Sequence, residues 1–157
     1  MPAVLYPVFM IGPSPDVLPP SADPCDDLAG DLDRVKIFVV EDDALSAIML
    51  NDLLEMWGFE VCGIAGNAPA AVREIERQRP DIVLMDIRLA GNTDGVAAAR
   101  EIRRRFGIRS VFVTAYADRA TLDRVRKAEP LGFLTKPYSP GQLQETMTQA
   151  LERLRAC

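Results

Sequence analysis

The chain has 157 residues, of which 48% are hydrophobic and 26% are charged, and its formal net charge is −5. This length and composition fit one globular domain with a core, plus an extension. Residues 1–33 hold six acids and no Lys or Arg, whereas the remainder is nearly neutral, with 17 acids and 18 bases. A neutral folded region lacks the electrostatic footprint of nucleic-acid binding, so the run Arg103, Arg104, Arg105 is interpreted as a solvated helix face.

Residues 1–33 are interpreted as a flexible N-terminal extension that precedes a domain at residues 34–157. Seven of the twelve prolines lie in residues 1–24, interrupted by Gly, Ser and Asp, and this composition disfavours periodic structure. The apolar start lacks a basic leader and is too short to span a bilayer, which predicts no membrane insertion. Cys25, Cys62 and Cys157 form no CxxC pair, so neither a disulfide framework nor a zinc site is indicated. Reduced thiols in the cytoplasm fit best.

The first structured unit is a strand, an acidic turn and a helix. Residues 35–40 form an apolar, β-branched run that predicts a buried strand, and the acids Glu41, Asp42 and Asp43 follow at once. Asp43 can cap a helix that Gly58 ends. The apolar positions expected to face the core recur at helical spacing: Leu45, Ile48, Met49, Leu53 and Trp57.

The same alternation continues to the end of the chain. Strands are predicted at residues 60–65, 82–85, 110–113 and 132–135, and helices at residues 68–79, 95–106 and 120–128. Asp94 can cap the third helix, and Ser139 with Gln142 forms a capping box before the last helix, which has Pro140 at its first position. Five alternating strands and helices predict a doubly wound α/β fold, with a parallel sheet covered on both faces.

Polar residues stand where four of these strands end. Glu41 and Asp42 follow the first strand, Asp86 the third, Thr114 the fourth and Lys136 the fifth. Ligands of such sheets bind beyond the carboxyl ends of the strands, so these side chains are expected to meet. Close carboxylates repel one another by roughly 1–4 kcal/mol per pair, and a divalent cation resolves that repulsion. Oxygen ligands without His or Cys favour Mg²⁺, or Mn²⁺, over zinc.

This set of residues suits phosphoryl transfer. The carboxylate of Asp86 can attack phosphorus, and the cation can neutralise the equatorial oxygens. Lys136 can form an ion pair with one phosphoryl oxygen, while the hydroxyl of Thr114 donates a hydrogen bond to another. Phosphoryl transfer requires mainly positioning and charge compensation, and these residues supply both.

Four motifs resemble those of response-regulator receiver domains from two-component signalling: VVEDD at 39–43, LMD at 84–86, VTA at 113–115 and TKP at 135–137. The resemblance covers residues 34–155 and implies a flavodoxin-like fold with strand order 2-1-3-4-5. It also implies phosphorylation of Asp86. The metal would be held by Glu41, Asp42, Asp86 and the backbone carbonyl of Arg88, with Asp43 outside the coordination shell.

The same resemblance implies roles for residues around the acceptor. Thr114 and Phe133 would be the switch residues, because the aromatic side chain turns inward when the threonine moves towards the phosphoryl group. Arg88 and Tyr116 would flank the phosphoryl group and modulate dephosphorylation. The peptide bond between Lys136 and Pro137 would be cis, aiming the lysine into the site.

The expected partners are a histidine kinase or histidine phosphotransferase and a downstream protein, with no direct contact to nucleic acid or membrane. The signalling surface would comprise the fourth helix, fifth strand and fifth helix. A homodimer could form through that surface or through the first helix. Because the chain ends one helix after the TKP segment, it resembles a stand-alone receiver, one that catalyses only its own phosphotransfer and autodephosphorylation.

Two alternatives stay open, and a third is disfavoured. The chain could be a degenerate receiver that serves as a phosphorylation-independent interaction module. It could also be a Mg²⁺-dependent aspartyl-phosphate phosphatase of the haloacid-dehalogenase kind, but Arg88 occupies the position of that class's second Asp. Nucleotide binding would need a Gly-rich turn after the first strand, where this chain has Glu-Asp-Asp. The cognate kinase and the output pathway are not encoded in recognisable motifs.

Overall fold

The computed structural model describes residues 35–115 and 117–156. The predicted extension at residues 1–33 and the predicted role of Tyr116 therefore lie outside the described residues. Five sheet strands alternate with five helices in the order β1 Lys36–Val40, α1 Ala44–Met56, β2 Glu60–Ala65, α2 Ala68–Gln78, β3 Ile82–Met85, α3 Gly95–Phe106, β4 Arg109–Thr114, α4 Arg119–Lys127, β5 Gly132–Thr135 and α5 Pro140–Ala156.

The strands form one parallel sheet in the order β2-β1-β3-β4-β5, as the sequence predicts. Strand β3 lies at the centre, where all four of its residues are buried. Its continuous apolar run, Ile82–Met85, is typical of a parallel strand covered on both faces. Alternate residues of the strands therefore point into two separate cores.

The helices divide between the two faces of the sheet. Helices α2, α3 and α4 pack against one face around Phe38, Met85 and Phe112. Helices α1 and α5 pack against the other face around Ile37, Leu84 and Val111. Helix α3 faces the core with buried Val96, Ala99 and Ile102 and partly buried Phe106, and α5 does so with buried Leu143, Met147 and Ala150.

Short polar side chains set the beginnings of the helices. Asp43 and Asp94 cap α1 and α3 as predicted, each accepting hydrogen bonds from backbone N–H groups of the first turn. Asn67 and Asp118 do the same for α2 and α4. The predicted capping box of α5 is confirmed, because the Ser139 N–H donates to Gln142 Oε1 at 2.8 Å and the Gln142 N–H donates to Ser139 Oγ at 3.2 Å.

The predicted core face of α1 is wrong. Leu45, Ile48 and Met49 are 66%, 55% and 56% exposed, whereas Ala47, Leu50 and Leu54 face the sheet. Leu53 and Trp57 are partly buried. The helix is apolar on more than one side, so a stripe chosen for its large side chains did not identify the inward face. The inward face can be identified from the sequence when a helix is amphipathic and has a single apolar stripe.

Smaller differences concern element boundaries. Helix α2 ends one residue earlier than predicted, because Arg79 adopts a left-handed conformation with φ of 50°. Strand β4 extends by one residue at each end and so includes Thr114. The segment between β3 and α3 contains a short antiparallel ladder that pairs Arg88–Leu89 with Thr93–Asp94. Among the described residues, no helix is long and apolar enough to cross a membrane.

Candidate functional site

The five predicted site residues Glu41, Asp42, Asp86, Thr114 and Lys136 lie along the carboxyl edge, the edge of the sheet where its parallel strands end. The backbone ladder extends beyond the strands and holds three of them. The Glu41 N–H donates to the Ala65 carbonyl at 2.9 Å, the Asp86 N–H to the Val40 carbonyl at 3.0 Å and the Lys136 N–H to the Thr114 carbonyl at 2.8 Å. The sheet itself thus fixes the positions of these residues.

Lys136 joins two carboxylates that lie 95 and 50 residues before it in sequence. Its Nζ donates to Glu41 Oε1 at 2.5 Å and to Asp86 Oδ2 at 3.1 Å. Carboxylate oxygens of Glu41, Asp42 and Asp86 all lie within 4.8 Å of one another. Glu41 and Asp86 are buried and Asp42 is exposed. We call these four residues the acidic site; they bring three negative charges and one positive charge together.

Burial and hydrogen bonding shift the pKa values of Glu41 and Lys136 in opposite directions. Burial raises the pKa of the Glu41 carboxyl, and the hydrogen bonds from Lys136 and from the Asp43 N–H oppose that rise only in part. Burial by itself would lower the pKa of Lys136, but its hydrogen bonds to Glu41 and Asp86 outweigh burial and raise it. Lys136 is therefore held in its charged form while the site keeps an excess of negative charge.

The acidic site suits a small, hard cation. Each of Glu41, Asp42 and Asp86 offers an oxygen to a common point, and exposed Asp42 leaves one side accessible to solvent. Mg²⁺ prefers such oxygen ligands and keeps several waters. Asp43, expected outside the coordination shell, instead binds the first turn of α1, since its Oδ2 accepts from the N–H and the hydroxyl of Ser46. Those hydrogen bonds lower the pKa of Asp43.

Gly95 was missed as a site residue by sequence reasoning, which treated it only as the first residue of a helix. A Cβ at this position would lie 1.9 Å from the carbonyl oxygen of Asp86, and the Gly95 N–H donates to the Ile87 carbonyl at 2.7 Å. The chain after Asp86 therefore folds back tightly against Asp86 itself. The available signal was the pair Asp94-Gly95, a capping residue followed by a glycine, nine residues after the central acid.

The remaining predicted residues lie on β4, on β5 and in the segment after β3. Thr114 is fully buried at the end of β4. Phe133 is partly buried on β5 and packs against the core formed with α2, α3 and α4. Arg88 is exposed in the short ladder after β3. The peptide bond between Lys136 and Pro137 is cis, which confirms that prediction.

The fold and this arrangement of side chains define a flavodoxin-like α/β receiver. The family model described as response regulator receiver domain matches residues 37–148, and the chain belongs to this family. A solved relative agrees: the signal receiver domain of a modulated diguanylate cyclase from Desulfovibrio desulfuricans G20 is 33% identical with a TM-score of 0.71. The match covers 77% of this chain and 96% of that one.

Curated relatives are longer than the region they share with this chain. The transcriptional regulatory protein PdtaR of Mycobacterium tuberculosis is 33% identical over 120 residues, covering 76% of this chain and 58% of PdtaR. The phyllosphere-induced regulator PhyR of Methylorubrum extorquens is 32% identical over 126 residues, covering 80% of this chain and 46% of PhyR. The chain thus spans about half the length of these relatives, and the likeness concerns their receiver portion.

Proposed function

We propose that this receiver accepts a phosphoryl group on Asp86 in the presence of Mg²⁺. The observation that carries the proposal is the contact of Lys136 with both Glu41 and Asp86, beside the three converging carboxylates. A free carboxylate oxygen of Asp86 attacks the phosphorus of a phosphohistidine or acyl phosphate. The bond from phosphorus to the donor's nitrogen or oxygen breaks, the leaving group takes the electron pair, and an aspartyl phosphate results.

The chain's own residues position the reactants. Glu41, Asp42, Asp86 and the backbone carbonyl of Arg88 would hold the Mg²⁺, whose chemistry there is to neutralise charge on the phosphoryl oxygens. Lys136 would pair with one phosphoryl oxygen and Thr114 would donate a hydrogen bond to another. Arg88 and Tyr116 would control how readily water reaches the product. The chain would catalyse no reaction beyond its own phosphorylation and dephosphorylation.

The test is labelling by acetyl phosphate with Mg²⁺, read by intact-protein mass spectrometry. The wild type is expected to gain one phosphoryl group and Asp86→Asn to gain none. Asp81→Asn is the matched control, since it removes a carboxylate at the other end of β3 and is expected to be labelled like the wild type. Equal labelling of Asp86→Asn would overturn the proposal. A wild type that stays unlabelled by acetyl phosphate and by the host's kinases would favour a phosphorylation-independent interaction module.

The exposed apolar side of α1 is the surface where we expect the phosphodonor to dock. Leu45, Ile48 and Met49 are exposed there, and Met49 lines a groove of about 470 Å³ that reaches Lys136 and Tyr138. A helical histidine phosphodonor seated on this surface would bring its histidine towards Asp86. Burial of large apolar side chains would supply the binding energy.

Comparing a histidine kinase with a small phosphodonor, acetyl phosphate, distinguishes a defect in docking from a defect in phosphoryl transfer. Ile48→Ser with Met49→Ser is expected to slow phosphotransfer from a histidine kinase at least about tenfold, because apolar anchors dominate interface energies. The same variant should be labelled by acetyl phosphate at the wild-type rate. Loss of both activities would place the effect in the acidic site rather than in docking.

Phosphorylation would act on a partner by altering the surface of α4, β5 and α5. Thr114 and Phe133 lie on the adjacent strands β4 and β5, which pair in parallel register. Thr114 pairs with Thr135, and Phe133 stands two residues before Thr135 on β5, opposite Phe112. A movement of Thr114 towards the phosphoryl group would reach Phe133 along β5. Four further expectations stay predictions from the sequence: the downstream partner, a homodimer through this surface or through α1, a stand-alone architecture and a cytoplasmic location.

A further inference from the structure

A basic groove lies between the C-terminal halves of α3 and α4, at the end of the molecule away from the acidic site. Its volume is about 790 Å³, and it is bordered by Arg100 and Arg104 of α3, Lys127 of α4 and Arg109 of β4. Arg109 begins its strand and Lys127 ends its helix, so the groove opens beside the amino ends of the strands. The acidic site lies beyond their carboxyl ends.

The groove carries positive charge that no acidic side chain among the described residues compensates. Arg103 pairs with Glu129, and Arg109 donates to the backbone carbonyls of Glu129 and Pro130, so these two side chains stabilise the neighbouring loop. Arg100, Arg104 and Lys127 are exposed, and none of them forms a hydrogen bond or ion pair with the part of the chain that the structure describes. The acid that borders the groove, Glu101, is paired with Arg105.

The helix dipole explains only part of this arrangement. Arg103, Arg104 and Arg105 lie in the last turn of α3, where positive charge is favourable. Arg100 lies one turn earlier and four residues before Arg104, and like charges at this spacing destabilise a helix. Lys127 adds a third charge from a different helix. The fold therefore maintains a repulsive cluster that an anion would relieve.

We propose that this groove binds an acidic segment of a partner protein, whose Asp and Glu carboxylates pair with Arg100, Arg104 and Lys127. The guanidinium fork suits bidentate contact with carboxylates. Small residues, Ala97, Gly107 and Ala128, also border the groove and leave room for a polypeptide backbone to approach. Since the groove is remote from the acidic site, the interaction does not require phosphorylation.

The surroundings favour an acidic polypeptide over single-stranded nucleic acid. Nucleic-acid grooves combine positive charge with aromatic rings on which bases stack. No aromatic side chain borders this groove among the described residues. The nearby ring of Phe106 is covered by the guanidinium groups of Arg79 and Arg105, each 4.8 Å from its centre.

Fluorescence anisotropy with a short labelled peptide of Asp, Glu and Ser tests the proposal on the full chain. The wild type is expected to bind the peptide and to release it as the salt concentration rises. Arg100→Glu with Arg104→Glu should weaken binding at least about tenfold, since reversal turns attraction into repulsion. The matched control is Arg73→Glu with Arg155→Glu, which changes the net charge equally on other exposed surfaces of α2 and α5. It should alter the affinity less than about twofold.

Circular dichroism checks that both double variants keep the wild-type fold. The proposal is overturned if the two double variants lose affinity equally, because binding would then reflect net charge alone. It is also overturned if the wild type fails to bind the peptide at low salt. The second arm of the experiment uses a labelled single-stranded oligonucleotide. If the wild type binds the oligonucleotide more tightly than the peptide, and Arg100→Glu with Arg104→Glu abolishes that binding, the groove is a nucleic-acid site and the proposal fails. Asp86→Asn should bind the peptide like the wild type.

Discussion

The two edges of the central sheet use charged residues in opposite ways. At the carboxyl edge, Glu41, Asp42 and Asp86 meet a single Lys136, so negative charge is left in excess. At the amino edge, the charged side chains of Lys36 and Asp81 are both used by the fold: the Lys36 N–H donates to Asp81 Oδ2 at 2.8 Å, and Lys36 Nζ donates to the Gln78 carbonyl at 2.9 Å. Charges that serve the fold are matched, whereas charges that serve a ligand are left unbalanced.

This contrast predicts how substitutions at the two edges differ. A change at the amino edge should reduce the free energy of unfolding and leave phosphorylation unchanged. A change in the acidic site should remove phosphorylation or metal binding and leave the metal-free protein as stable as before, or more stable. Backbone packing beside the acidic site is the exception, because Gly95 serves both stability and function.

The largest effect is expected from Gly95→Ala. Its Cβ would lie 1.9 Å from the Asp86 carbonyl oxygen and 2.9 Å from the Ile87 Cα, and neither backbone atom can move without displacing the chain around Asp86. We expect a loss of at least about 3 kcal/mol in the free energy of unfolding, measured in urea. Gly141→Ala is the control, since the nearest atom to its Cβ is 3.9 Å away. It should leave stability unchanged or raise it by about 0.5 kcal/mol. Equal effects of the two substitutions would contradict this explanation.

The second-largest loss of stability is expected at the amino edge, from Asp81→Ala. The N–H of Lys36 at the start of β1 would lose its side-chain acceptor, and we expect the free energy of unfolding to fall by about 1 kcal/mol. Asp81→Asn keeps an acceptor oxygen and should be closer to the wild type. Labelling by acetyl phosphate should be unchanged in both variants. If the Asn and Ala variants were equally destabilised, the hydrogen bond would not be the cause.

A smaller effect of opposite sign is expected from Asp42→Asn in the acidic site. Without metal, the substitution removes one of three mutually repelling carboxylates, so stability in EDTA should rise by about 0.5 kcal/mol. The stabilisation that the wild type gains from excess Mg²⁺ should disappear, because binding to the folded state alone stabilises it. Asp52→Asn, on the exposed side of α1, changes the net charge equally and should keep the Mg²⁺ effect. A Mg²⁺ effect retained in Asp42→Asn would remove that residue from the metal ligands.

The sequence was sufficient for the fold and for most of the acidic site because both follow from where strands end. Apolar runs terminated by Glu41, Asp86 and Lys136 predict that these residues meet, since parallel strands end at one edge. The contact between Lys136 and the two acids then needs only the correct strand order. Capping by Asp43 and Asp94 was equally predictable, because caps depend on residues within one turn.

What could not be predicted depends on packing between elements that are distant in sequence. The inward face of α1 was chosen wrongly because large apolar residues occur on two of its sides, and only the sheet decides which side is covered. The close approach of Gly95 to Asp86 depends on a tight return of the backbone. The basic groove required Arg100 and Lys127, on different helices, to border one space.

The smallest change in stability is expected at the Ser110 hydroxyl, which belongs to neither edge of the sheet. Ser110 lies in β4 between the two edges and is 4% exposed, and its hydroxyl has no hydrogen-bond partner among the described residues. Ser110→Ala removes an unsatisfied buried group, so the free energy of unfolding should rise by about 0.5 kcal/mol. The same change at Ser139, whose hydroxyl accepts the Gln142 N–H, should instead lower it by about 1 kcal/mol. Thermal unfolding of the two variants, with acetyl phosphate labelling unchanged in both, measures the difference. A loss of stability in Ser110→Ala would mean that the hydroxyl is satisfied in solution, and that the interior of the sheet keeps its polar groups paired.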